Sequence, residues 1–413
     1  MPPKPKILLL FTQMYPYGKE ETFIEDEIEI IRDRFEKIFI FTSSTETNRR
    51  KVPDGIKVVR LNFSNITYID SFKAFGNKLY WKELLFLFKK DPLQLFSFGI
   101  QKTIIYSLLN AKVLSENIFE QLNDQVDIHN SSLFFYSYWI NDFALAFVML
   151  KNTINGKFFC RAHGWDIYLE RSRYKFLPFR NILPVYLDRI YFISRTGWNY
   201  YSSRYGIYDN LVISRLGVKN QLPSTDVSII NKELTLLSCS LIIPIKRIEL
   251  IINSLALLKD IKYKWYHIGY DLDMGSSTHK LVEMAKRLEV NFKPIGFIRN
   301  DEVHQFYQNQ RVDLFINLST TEGIPVSIME AYSYGVPAIA TNVGGTSEIV
   351  TNENGQLLNS TPSLDEINTA IRNFHNLSPE QVNLKKQAAY ETWSKKYNAT
   401  KNYTQFVEDI LSL

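Results

Sequence analysis

"TTEGIPVSIMEAYSYGVPAIATNVGG", Thr320 to Gly345, places two glutamates, Glu322 and Glu330, with seven residues between them. The run just before it, "VDLFINL", reads as a buried strand, and "STTEG" as the loop that leaves it. Pro325 is expected at the first helical position, where its missing N–H is not needed. The helix "PVSIMEAYSY" is expected to end at Gly335, a natural C-terminal cap. "VPAIAT" is then a second strand, closed by Gly344-Gly345. Strand, loop, helix and strand in this order make one unit of a parallel α/β sheet.

The same stretch predicts a ligand. The free amides at a helix N-terminus, with the positive end of its dipole, attract an anion. Gly323 lets a ligand approach the backbone closely. Glu322 stands before the helix and Glu330 inside it, roughly 7 Å along the axis at about 1.5 Å per residue. A phosphate at the amides would have a carboxylate on either side. Carboxylates accept hydrogen bonds from sugar hydroxyls, so the spacing suits a sugar–diphosphate–ribose ligand.

Outward from this stretch, apolar strands and amphipathic helices alternate along all 413 residues. "KILLLFT", "EKIFIFT", "IKVVRL", "LFFYSYW", "GKFFCRA", "DRIYFIS" and "NLVISRLG" read as strands of a first series. "LTLLSCS", "YKWYHIG", "NFKPIGF", "VDLFINL" and "VPAIAT" form a second. "KNQLPSTDVSIINKE", Lys219 to Glu233, is the expected linker, and the tail from Ser378 reads as two helices split near Asn398. The length fits two domains. Hydrophobic residues at 45% and charged residues at 22% are ordinary for a globular chain, and a net charge of +5 does not call for nucleic acid. Cys160 and Cys239 are too few for a disulfide framework, which fits a reducing cytoplasm. The first apolar run is too short for a signal peptide. "LFFYSYWINDFALAFVML", Leu133 to Leu150, is interrupted by Asn141 and Asp142 and reads as a buried strand, turn and helix rather than a membrane span. There is no Gly-x-Gly-x-x-Gly, which counts against a dinucleotide dehydrogenase.

Glu322-Gly323-Ile324-Pro325, Glu330-Ala331, Gly335-Val336-Pro337-Ala338-Ile339-Ala340, Gly344-Gly345 and Glu348-Ile349-Val350 together closely resemble the motif of retaining glycosyltransferases of family 4. The resemblance is specific from about Leu236 to Val350 and loose before Cys160. It implies the GT-B fold: two Rossmann-like doubly wound domains facing across a cleft, with a C-terminal helix returning to the N-terminal domain. The expected divisions are an acceptor-binding domain over 1–220, a nucleotide-sugar-binding domain over 233–395 and a crossover helix over 396–413. By resemblance Glu330 binds the ribose hydroxyls, Glu322 contacts the donor sugar, and the backbone from Gly323 through Ile324 and Pro325 to Val326 faces the distal phosphate and sugar.

Other segments carry the resemblance further. "SCSLIIPIKRIELIINSLALL" matches a strand-loop-helix in which an Arg and a Lys neutralise the diphosphate and assist its departure. Lys246 takes the Lys position. Leu241 stands where the family has Arg, and Arg247 is the candidate to compensate. In "CRAHGWDIY", His163 is placed near the donor's anomeric carbon, and Arg161 and Asp166 are acceptor or sugar candidates. "YPYGKEETFIEDEI" resembles a first loop that approaches donor phosphates and acceptor, with Gly18 as its close-approach residue. Arg195 and Arg215, in "ISRTGWNYY" and "ISRLGV", are further cleft candidates. Phe297 and Ile298 fall where the family's backbone meets the base. Asp271 and Asp273 form an Asp-x-Asp, which binds a metal in a different glycosyltransferase fold; the GT-B resemblance implies none, and no His/Cys cluster has ligand spacing.

The implied function is transfer of a sugar, with retention, from a nucleotide-diphosphate-sugar co-substrate to a hydroxyl of a glycan or lipid-linked acceptor in surface polysaccharide synthesis. Two rivals keep the binding site and change the outcome: a non-catalytic nucleotide-sugar-binding partner, and a nucleotide-sugar epimerase on the same fold. From Phe72 to Lys112 lysines and aromatic residues alternate with few acids, the pattern of an amphipathic surface for anionic lipid. The expected location is therefore cytoplasmic, peripheral on the membrane.

Overall fold

The computed structural model describes residues 4–61, 71–220 and 233–413. Most of the expected linker falls at 221–232, outside the described residues. The chain divides into two compact units, Met1–Ser214 with Tyr403–Leu413, and Arg215–Asn402.

The first unit is built on seven parallel strands: β1 (Lys6–Thr12), β2 (Lys37–Thr42), β3 (Ile56–Arg60), β4 (Ser132–Ser137), β5 (Lys157–Ala162), β6 (Arg189–Phe192) and β7 (Leu211–Ile213). Their order is β3-β2-β1-β4-β5-β6-β7, with Leu9 opposite Phe39 on one side and Phe135 on the other. A parallel sheet covered on both faces needs continuous apolar strands, which is what "KILLLFT" and "KIFIFT" supply. Much of the phenylalanine excess lies here. Phe11 stacks on Phe41 at 4.9 Å, Phe135 on Phe158 at 4.3 Å, and Phe147 meets Phe11 edge-on at 5.1 Å. The run Leu133–Leu150 is β4 followed by the buried helix Asp142–Leu150, capped by Asn141. No helix among the described residues is long and apolar enough to cross a membrane.

The second unit has six parallel strands: β8 (Glu233–Cys239), β9 (Lys262–Ile268), β10 (Phe292–Gly296), β11 (Leu314–Asn317), β12 (Ala338–Thr341) and β13 (Gly355–Leu358), in the order β10-β9-β8-β11-β12-β13. Leu314 and Phe315 of β11 pair with Leu236 and Leu237 of β8. Both sheets are Rossmann-like, each doubly wound about its first strand. The tail forms helices Pro379–Lys396 and Ala399–Leu411, and from Tyr403 onward the last helix belongs to the first unit. There Tyr191 donates to Asp409, and Phe406 packs on Tyr191 at 4.8 Å and on Tyr136 at 5.3 Å.

Candidate functional site

In the second sheet the chain order reverses between β8 and β11. A crevice opens beyond the carboxyl ends of the strands at such a point, and ligands bind there. Both loops at this point carry charge. After β8 the chain makes the short turn Pro244–Lys246, passes through Arg247 in the left-handed region (φ 51°), and starts the helix Ile248–Ala256. After β11 it passes through Glu322 to the helix Val326–Ser333. Nζ of Lys246 donates to Oε1 of Glu322 at 2.6 Å, and Asn317 reaches the same oxygen at 3.4 Å. The Thr320 N–H donates to the Ile245 carbonyl at 2.8 Å and fastens the two loops together. Burial works to raise the Glu322 carboxyl, but the Lys246 ammonium and the hydrogen bonds outweigh it, and the group is held below the usual carboxylate range.

A third loop, after β12, locks Glu322 from behind. The Thr341 hydroxyl donates to the Ser319 carbonyl at 2.5 Å, and the Gly345 N–H to the Gly323 carbonyl at 2.9 Å. Gly344 has φ +53°, and a Cβ there would lie 1.7 Å from the Glu322 carbonyl oxygen, so only glycine fits. Pro325 is the N-cap of the helix rather than its first residue, one position earlier than expected from sequence. Gly323, Ile324, Pro325 and Val326 therefore form the turn into a helix N-terminus, the setting for an anion. Glu330 is buried on that helix, and its charge adds to the effect of burial in pushing Tyr334 up to about 12 and the Cys239 thiol upward.

The other loops of this sheet end are tied to the first. A Cβ on Gly269 would lie 1.8 Å from the Ser240 carbonyl oxygen, and the Gly269 N–H donates to Gly296 at 3.0 Å. Phe297 follows directly, its ring edge-on to Tyr270 at 5.3 Å, and Ile298 comes next. Arg247 turns elsewhere, donating to the Ser360 carbonyl at 2.8 Å. Asp271 accepts from the N–H groups of Gly275 and Thr278 at 2.6 and 2.7 Å, and Asp273 from that of Ser277 at 3.0 Å. The Asp-x-Asp thus caps the helix Ser276–Arg287. Arg215 pairs with Glu348 at 3.0 Å, fixing the end of the long motif inside the second unit.

In the first unit His163 follows β5. Its ring packs on Trp139 at 4.3 Å and Tyr138 at 5.0 Å, and neither ring nitrogen has a hydrogen-bond partner among the described residues. Burial holds the imidazole below its ordinary value, so it is neutral near pH 7. Its two neighbours among the candidates are buried. Asp166 is fully buried and accepts from the N–H groups of His163 (2.6 Å) and Ile140 (3.0 Å), which shapes the loop. Arg161 is also fully buried, paired with Glu27 at 2.8 Å and lying 4.3 Å from the Phe406 ring. The alternation of β5 turns it into the core, against the last helix. Arg195 is exposed at the start of helix Arg195–Tyr205, its guanidinium 5.5 Å from the Trp198 ring.

Gly18 has φ +67°, as a tight loop after β1 requires. The residue that organises this loop is Glu21, which the sequence reading passed over. Its carboxylate accepts from the N–H groups of Gln13, Met14 and Tyr15 (3.3, 2.8 and 2.5 Å) and from the indole N–H of Trp139. Through Trp139 it positions the wall beside His163. The signal was in Glu21-Thr22-Phe23-Ile24: an acid at the head of the motif, next to backbone that needs an acceptor.

Comparison with known proteins agrees with this geometry. Residues 224–391 match the sequence model of the family described as glycosyl transferases group 1. The match lies within the second unit. Among curated proteins the chain is similar to the O-antigen biosynthesis glycosyltransferase WbnH of Escherichia coli, 27% identical over 204 residues, 48% of this chain and 55% of that protein. It therefore spans about half the length of the curated relatives it matches. Among solved structures it is similar to sucrose-phosphate synthase of Thermosynechococcus elongatus, with TM-score 0.74 and 13% identity over 98% of both chains. Anabaena Alr3699/HepE in complex with UDP and glucose gives 0.66 and 18% over 99% and 100%. These likenesses show the GT-B fold for the chain. Among its described residues no group of three or more His, Cys, Asp or Glu side chains is placed to hold a metal ion.

Proposed function

We propose that this chain is a retaining glycosyltransferase that moves a sugar from a nucleotide-diphosphate-sugar to a hydroxyl of a glycan or lipid-linked acceptor in surface polysaccharide assembly. The observation that carries the reading is the Lys246–Glu322 pair at the β8/β11 reversal, at the head of a helix that also bears Glu330. Lys246 neutralises the diphosphate, increasingly so as the leaving group gains charge. Glu322 meets the donor sugar, Glu330 the ribose hydroxyls, and the Gly323–Val326 backbone the distal phosphate. His163, neutral, is assigned to the sugar on the resemblance. In the transfer the bond from the anomeric carbon to the phosphate oxygen breaks, the acceptor oxygen bonds to that carbon from the same face, and its proton passes to the departing phosphate. That chemistry asks for no separate nucleophile and base. The names of relatives support the pathway: WbnH is an O-antigen glycosyltransferase, and HepE is known with UDP-glucose. Two free cysteines agree with a reducing compartment, and peripheral attachment to an anionic membrane surface belongs to the same reading.

The test is to titrate the protein with UDP and UDP-sugars, then follow turnover by NMR. Donor binding with release of free sugar, or of a product that keeps the donor's anomeric configuration, is expected. Binding without turnover across acceptors would leave the non-catalytic partner; an epimerised sugar nucleotide would establish the epimerase.

A further inference from the structure

A groove of about 680 Å³ opens in the first unit at the carboxyl ends of β1, β2 and β4. Gln13, Ser43 and Asn141 lie at its floor, where those strands end. Its walls are the helix Phe98–Asn123 and the segment from Trp165 to Arg180. Three of its aromatic rings are broadly exposed, Tyr106 at 51%, Tyr174 at 43% and Trp165 at 36%. Two of them, Tyr174 and Trp165, are held in place. A Cβ at Gly99 would lie 2.5 Å from the Tyr174 ring, so that ring rests directly on the helix backbone. Trp165 packs at 5.2 Å on Trp139, the same indole that backs His163.

The charge in the groove is cationic. Lys102 and Arg173 are exposed on its walls, and the Arg173 guanidinium lies 5.5 Å from the Tyr174 ring. The carboxylate of Asp142 is already engaged by Ser107 and, at 3.2 Å, by Asn110. Cations beside exposed aromatic rings, with amides beneath, fit a phosphate joined to a sugar.

Next to the groove the surface turns apolar. Phe98, adjoining Gly99, is 83% exposed, Phe96 86% and Leu93 80%. Trp81, Leu85 and Phe88, spaced four and three apart, expose one stripe of the helix Lys78–Lys90. Lys78, Lys82, Lys89 and Lys90 flank that stripe, and the one acid on the helix, Glu83, is buried. The Tyr80 hydroxyl donates to Gln101 at 3.1 Å, and Gln101 to the Leu95 carbonyl at 2.9 Å, so ridge and groove wall are one rigid piece. Exposed apolar side chains bordered by lysines suit an anionic lipid surface.

We propose that the groove binds the anionic, sugar-bearing head of a lipid-anchored acceptor. Lys102 and Arg173 hold its phosphate, Tyr106, Tyr174 and Trp165 line its sugar, and the Leu93–Phe98 ridge enters the lipid surface from which it projects. The acceptor role rests on the glycosyltransferase reading; the binding does not. Dodecyl diphosphate carried in phosphatidylcholine vesicles is the probe, beside inorganic diphosphate in solution and dodecyl maltoside in the same vesicles. The first should bind at least tenfold more tightly than either of the others. Lys102→Glu with Arg173→Glu should remove that advantage, and Phe96→Ser with Phe98→Ser should weaken vesicle binding at least fivefold; all four side chains are exposed, and an unchanged melting temperature verifies folding. Equal binding of inorganic diphosphate would mean a free-anion site, and equal binding of the maltoside mere detergent affinity. Either result, or indifference to the charge reversals, overturns the proposal. A UDP titration of the wild-type protein runs separately: its failure would remove the donor reading and leave the groove result standing.

Discussion

An ammonium and a carboxylate held 2.6 Å apart partly neutralise each other until a ligand arrives. Lys246 is engaged by Glu322 before any diphosphate reaches it, so donor binding must share or exchange that partner. This separates the two residues experimentally. Lys246→Ala is expected to weaken UDP binding and slow turnover together, by about 2–4 kcal/mol in the transition state. Glu322→Gln should slow turnover by a similar factor yet bind UDP no more weakly than wild type, because it releases the lysine. Paired UDP titrations and single-turnover rates measure both, and near wild-type turnover in either variant would sink its assigned role. Glu322 was legible in sequence because its spacing from Pro325, Glu330 and Gly335 is distinctive, and Lys246 because "SCSLIIPIKRIELIINSLALL" resembles the family's strand-loop-helix. Arg161 was not, since an arginine after a buried cysteine reads the same whether the strand turns it outward or into the core. Its true partner, Glu27, lies 134 residues away.

Elements were more legible than their edges. The strands read from apolar runs appear in both sheets, but β13, "GQLL", was missed because four residues with two apolar side chains carry little pattern. The head of the Val326–Ser333 helix moved by one residue because Pro325 adopts extended rather than helical geometry. What sequence could not show is how tightly the three loops around Glu322 are pressed together. Gly344→Ala tests that. A methyl there meets the Glu322 backbone and sits at positive φ, so turnover should fall at least tenfold, with a stability loss of about 2 kcal/mol or more. Gly275→Ala is the control: its φ is +93° but nothing lies within 4 Å of an added Cβ. It should lose stability by about 1 kcal/mol and keep turnover. If both alanines behave alike, loop contact is not what holds Glu322.

At the scale of the molecule, composition and alternation disclosed two Rossmann-like sheets, and the split near Asn398 disclosed two final helices. The side-chain contacts by which the last helix completes the first unit were hidden, because Tyr403, Phe406, Val407 and Ile410 read only as an ordinary amphipathic face. The Tyr403 and Phe406 rings lie against Arg161 of the buried Arg161–Glu27 pair, at 5.7 and 4.3 Å, and help keep it from water. Phe406→Ala should cost about 3–5 kcal/mol in the unfolding of the first unit. Denaturant unfolding followed by limited proteolysis checks it, and an unchanged midpoint would show that the helix is ornamental. Synthesis runs in one direction. When the ribosome has made β7, every strand of the first sheet exists, yet a charged seam between β5 and the helix Ile24–Ile31 still faces open. It closes only after the whole second unit has been translated. A nascent chain of this protein must hold that seam open until the helix Ala399–Leu411 emerges.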